Sequence, residues 1–109
     1  MSKILRISVK KEYFEQIKLG LKKEEYREIK PYWDKRINKD YDEVWIMLGY
    51  PSSQEKEKIL KFKWKGYTKK IITHTEFGNI PIEVYAIKLG EWKIWVQKIK
   101  WHQRKNKNL

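Results

Sequence analysis

Between Ile59 and Lys65 the chain reads Ile-Leu-Lys-Phe-Lys-Trp-Lys, with Leu60, Phe62 and Trp64 on one side of an alternation and Lys61, Lys63 and Lys65 on the other. Side chains of an extended strand point alternately to opposite faces, so the pattern suits a half-buried strand with its lysines turned outward. The apolar side needs a cover, and other short apolar runs supply it. Ile4 to Val9, Glu43 to Leu48 and Ile82 to Leu89 have strand length and strand composition. In the last of these, Val84, Ala86, Tyr85 and Ile87 face two apolar environments. Alternation also places Trp45 and Trp64 toward the core.

Two further strands are weaker in composition. Lys22 to Ile29 is heavily charged, with Tyr26 and Ile29 as its few apolar members, and Lys69 to Thr73 follows a bulge or bend at Gly66. One amphipathic helix interrupts the series: Tyr13, Phe14, Ile17 and the adjoining Leu21 recur at helical spacing from Lys11 to Leu19, and Gly20 closes it. Pro31 sets a break before a helical turn at Trp33 to Ile37, while Gly49 to Ser53 and Thr73 to Pro81 read as loops. The expectation is a single α+β domain of mostly short strands, which suits a chain of 109 residues.

Charge narrows the choice of partner. Lys and Arg number 26 against 14 acids, a formal net charge of +12, which favours a polyanion. Six Trp, seven Tyr and three Phe supply the apolar surface that disordered basic tails lack. With no cysteine and two histidines, His74 and His102, the chain has no disulfide, no thiol chemistry and too few ligands for a His-rich metal site, so no metal or cofactor is expected. Met1 to Ile7 has no uninterrupted apolar run, so neither a signal peptide nor a membrane span is expected, and a cytoplasmic location is expected. The extension 92–109 carries six Lys or Arg and no acid. Trp92, Trp95, Val96 and Ile99 in it fit a helix, Trp92, Ile94 and Val96 also fit a strand, and Arg104 and Lys105 stand in a basic tail suited to phosphate contact. Two other sources of lysine compete with a binding role: protection of strand edges, and an AT-rich genome.

After the helix comes Gly20-Leu21-Lys22-Lys23-Glu24-Glu25-Tyr26-Arg27, which fits G-x-K-x-x-E-x-R. With Lys30-Pro31-Tyr32-Trp33, Tyr41-Asp42-Glu43-Val44, Gly49-Tyr50-Pro51 and Val84 to Gly90 in the same order, the chain resembles the ASCH domain family over about residues 4 to 90. The resemblance implies a PUA-like fold, a small β-barrel of about five to six strands flanked by helices, over residues 1–91. It also implies that Lys22, Glu25 and Arg27 line a cleft. Strand parity by itself puts Glu25 and Arg27 on one face and admits Lys22 only through a bend. A solvated strand carrying salt bridges is the plainer alternative.

The family resemblance implies RNA recognition, and the residues supply cations for phosphates and aromatic faces for unpaired bases. Trp33 and Tyr50, both in predicted turns, are the stacking candidates. A single, sometimes modified, nucleobase held in the cleft is a sharper form: Glu25 accepts from an exocyclic amine, and Arg27 or Lys22 donates to a carbonyl or phosphate. Such groups are costly to bury, which predicts an open, wet pocket. A metal-independent ribonuclease is the first alternative, with Glu25 or His74 as base and Lys22 and Arg27 on the phosphate. Acetylcytidine deacetylation, which the resemblance also suggests, needs a Thr where this chain has Glu25, and carboxylate attack there gives an anhydride instead of an ester. A small protein-interaction module that binds an acidic surface is the remaining class.

Overall fold

The alternation at Leu60 and Phe62 is realised: both are buried, while Lys63 on the opposite face is exposed. A computed structural model describes residues 3–90. Its elements are β1 (Ile4–Val9), α1 (Lys11–Lys18), β2 (Glu24–Glu28), α2 (Pro31–Ile37), β3 (Glu43–Leu48), β4 (Ile59–Lys63), β5 (Tyr67–Ile72) and β6 (Ile82–Lys88). Single 3₁₀ turns occupy Lys56–Lys58 and Thr75–Phe77. The extension with Arg104, Lys105 and His102 lies outside the described residues, as does the choice between helix and strand there.

The fold of the described residues is α+β, with six strands in two three-stranded sheets. In the first, β1 runs parallel to β3, which pairs antiparallel with β4; Ile7 sits opposite Ile46, and Ile46 opposite Leu60. In the second, β6 lies between β2 and β5 and is antiparallel to both. No ladder joins the two sheets among the described residues. They share one core, in which Leu5, Ile7, Val44, Ile46 and Phe62 of the first sheet meet Tyr85 and Ile87 of the second, with Phe14 and Ile17 of α1 and Ile37 of α2. As the middle strand, β6 is buried on both faces: Val84 and Ala86 are fully buried opposite Tyr85 and Ile87.

Three sequence expectations change. Trp45 does not point to the core. Val44 and Ile46 take that side, and Trp45 lies half-buried on the outer face between Arg6 and Lys61, whose cations sit 5.0 and 4.3 Å from its ring. Val44, Ile46 and Leu48 form the wholly apolar set of β3, whereas Trp45 shares its face with Glu43, and the acid marks the outer side although the large apolar indole argued for the core. Leu21 falls beyond the end of α1 and is 77% exposed. The turn expected at Trp33 is a seven-residue helix that begins at Pro31, whose missing N–H and fixed φ suit the first helical position. Trp64, past the end of β4, packs against the core edge-on to Tyr41, their ring centroids 5.2 Å apart.

Candidate functional site

The edges of β1 and β2 that pair with no strand among the described residues border a cleft of about 530 Å³. Ser8 and Val9 form one wall and Glu25 to Glu28 the other, with Trp33 of α2 and His74 of the loop before β6 at its sides. The Arg27 guanidinium spans the gap: Nη2 donates to the Ser8 carbonyl at 2.9 Å and to Glu25 Oε2 at 2.6 Å.

Lys22 reaches this cleft because of how α1 ends. Gly20 takes the left-handed conformation at φ +78°, open to glycine at little cost. The Gly20 N–H donates to the Ile17 carbonyl, and the N–H groups of Leu21 and Lys22 both donate to that of Gln16. This reversal, a Schellman arrangement, turns the chain from the helix into β2 and delivers the Lys22 ammonium 3.7 Å from Glu25 Oε1 and 4.2 Å from the Tyr26 ring centroid. The bend that parity required is this turn.

Glu25 is the one buried charged residue among those described, at 6% exposure. Its burial departs from the open, wet pocket expected of an unliganded carboxylate. Arg27 and Lys22 compensate the charge, since a buried carboxylate held by charge-assisted bonds need not meet water. Burial lowers the Lys22 pKa below the ordinary lysine value, and the neighbouring Glu25 charge opposes that shift. The Arg27 guanidinium lies 5.2 Å from the Trp33 ring centroid, forming a flat cationic and aromatic wall. Arg27 Nε is the single buried side-chain polar atom left without a partner among the described residues.

His74 caps the 3₁₀ turn, its Nδ1 accepting from the Glu76 N–H at 3.0 Å. An acceptor Nδ1 places the ring proton of the neutral imidazole on Nε2, which is then a donor. Lys10 at the start of α1 binds Glu76 at 2.8 Å, tying that turn to the helix beside the cleft. Tyr13 packs against His74, and its phenol is pushed up to about 12, first by burial and then by the Glu76 charge.

Five predicted site residues, Lys22, Glu25, Arg27, Trp33 and His74, thus line one cleft. Tyr50 does not join them and stands 92% exposed. Lys10, Tyr13, Tyr26 and Glu76 also line the cleft and were not singled out from sequence. Tyr26 was discoverable, because it falls within the same motif, whereas Lys10 and Glu76 are 66 positions apart and meet only through the fold. Among the described residues no group of three or more His, Asp or Glu side chains is placed to hold a metal ion, and no helix is long and apolar enough to cross a membrane. No protein-family model matches the chain, and no match to it was found among curated proteins or solved structures.

Proposed function

We propose that this chain is an ASCH-like, PUA-type RNA-binding domain that holds an unpaired nucleobase in the cleft between β1 and β2. The observation that carries this is the convergence of Lys22, Glu25, Arg27 and Trp33 on one concave site. Such a site has a carboxylate acceptor, two cationic donors and a flat wall, the set needed to read the edges and face of a base. Glu25 Oε2 is committed to Arg27, while Oε1 stands 3.7 Å from Lys22, beyond hydrogen-bond length, and keeps acceptor capacity for an exocyclic amine. An Arg27 Nε without a partner is a cost that a purely structural ion pair has no reason to carry.

Binding fits the geometry better than cleavage. A ribonuclease needs a free base, and the basic nitrogen of neutral His74 already accepts from the backbone. Glu25, held by Arg27, is poorly placed to take a proton from a 2′-hydroxyl.

The test is incubation with labelled single-stranded and structured RNAs, without added metal, following both binding and cleavage. The reading predicts salt-sensitive binding without turnover. Lys22→Ala with Arg27→Ala should weaken it at least about tenfold, about 1.4 kcal/mol. Turnover abolished by Lys22→Ala with Glu25→Gln would establish the ribonuclease instead. Binding that survives those changes and is lost on deleting 101–109 would move the function to the basic tail.

A further inference from the structure

A second cavity of about 520 Å³ adjoins the cleft and shares Tyr13, Lys22, Tyr26 and His74 with it. We infer that this second compartment is a phosphate subsite, so that the ligand of the whole site is a nucleotide unit, with its base in the first compartment and a phosphate in the second. The inference rests on the nucleobase reading of the first compartment and goes beyond it in assigning Lys23 and Lys88.

The two compartments differ in how their charges are spent. In the first, each acid has a close cation: Glu25 has Arg27 at 2.6 Å, Glu28 has Lys30 at 2.8 Å and Glu76 has Lys10 at 2.8 Å. A site whose charges are already paired suits a neutral, polar base. The second is lined by Lys22, Lys23 and Lys88 with a single acid, Glu24. That acid is bound by Lys70 at 2.6 Å and accepts from the Tyr26 hydroxyl at 3.1 Å, and these contacts hold its carboxyl below the usual carboxylate range. Lys23 and Lys88 have no ion-pair partner among the described residues.

The backbone keeps these two lysines together. Lys88 stands opposite Glu24 in the β2–β6 register, and the Leu89 N–H donates to the Lys23 carbonyl at 2.9 Å. Lys22 forms the partition: its ammonium is near Glu25 on one side and lines the lysine compartment on the other. A cation in that place can bind a base carbonyl or a phosphate oxygen without moving far. Gln16, from α1, adds a neutral amide donor to the same wall. Three cations against one neutralised acid, in a concave site, favour an anion over an uncharged group.

The experiment titrates the full chain with adenosine, cytidine, guanosine and uridine, then with their 3′- and 5′-monophosphates and with inorganic phosphate, following backbone amide shifts. The expected result is that the monophosphate of the preferred nucleoside binds at least about tenfold more tightly than the nucleoside. In Lys23→Ala with Lys88→Ala that gap should shrink below about threefold while nucleoside affinity holds. Both lysines are exposed, so the fold should tolerate the change. Lys23→Glu with Lys88→Glu, made as a second variant, should invert the preference. Equal affinity for nucleoside and monophosphate, or a variant that weakens both alike, overturns the phosphate subsite and leaves the base site standing. No binding of any nucleoside, monophosphate or phosphate sinks the base reading and the subsite with it, whereas inorganic phosphate bound at Lys23 and Lys88 with no nucleoside bound anywhere sinks the base reading and the nucleotide unit and leaves an anion site alone.

Discussion

The cleft and the outer face of the β1–β3–β4 sheet are built from the same residue types and behave differently. On the outer face Trp45 lies between Arg6 and Lys61, and its indole N–H donates to Glu43 at 2.7 Å. In the cleft Trp33 carries Arg27, but Arg27 also holds a buried carboxylate and reaches across to the Ser8 carbonyl. Cation and aromatic contact by itself is therefore a means of covering an indole on a sheet. The cleft adds the two features on which the proposed reading rests: concavity, supplied by two strand edges unpaired among the described residues, and a carboxylate taken out of water.

That contrast is open to direct attack. The largest separation should appear in RNA affinity, where Lys22→Ala with Arg27→Ala costs at least about tenfold and Arg6→Ala with Lys61→Ala less than about threefold, measured at fixed salt. Equal losses would mean that the RNA sees only net charge. Stability comes next. Glu25→Ala leaves two cations facing each other in the cleft and should lower the unfolding free energy by about 2 kcal/mol in urea titration, less than a fully buried pair because Arg27 and Lys22 keep some access to water. Lys61→Ala on the outer face should cost only about 0.5–1 kcal/mol.

Gly20→Ala tests the connection between helix end and cleft. No atom lies within 4 Å of the added methyl, so the penalty is conformational, about 1 kcal/mol, for holding a residue with a Cβ at positive φ. Its sharper signature is weaker RNA binding, because Lys22 follows two residues later. Alanine there with unchanged affinity would disconnect the turn from the site.

The last contrast lies outside neutral pH, in the alkaline limb of stability. Tyr13 is raised to about 12 chiefly by burial, and Tyr85 to about 12 chiefly by its hydrogen bond to Asp34. For a phenol raised in the folded state, the stabilisation is complete below the unfolded value near 10 and is lost as pH climbs from about 10 to about 12. Urea midpoints from pH 8 to 12 should decline over that interval, and Tyr85→Phe should flatten the decline. Since Asp34 belongs to α2 and Tyr85 to β6, a flattened curve would also report on how the Trp33 helix is anchored.

Much of this was legible along the chain, for reasons that differ by residue. Leu60 and Phe62 were assigned correctly because their neighbours are lysines, leaving one register that avoids burying charge. Glu25 and Arg27 share a face by strand parity, and Gly20 marks the helix end because few other residues tolerate its φ. Tyr50, a stacking candidate like Trp33, stands outside the cleft, because a turn position says a ring is available without saying what it faces. The α2 helix was read short because a proline looks like a break until its N–H is seen to be one the helix does not need.

The sequence by itself determined the local alternations, the end of α1 and the kinds of charge placed on β2. These depend on contacts between residues a few positions apart and on backbone preferences carried by single side chains. Only the tertiary structure decided that Trp45 turns outward, that His74 and Lys10 come to the site of Lys22, and that Glu25 is buried. Each of those outcomes follows from which strand edges were left unpaired and which apolar face met the other sheet. That choice belongs to the whole core: Trp45 and Met47 share their face of β3 with Glu43, and it is Val44 and Ile46 on the other face that pack against the second sheet.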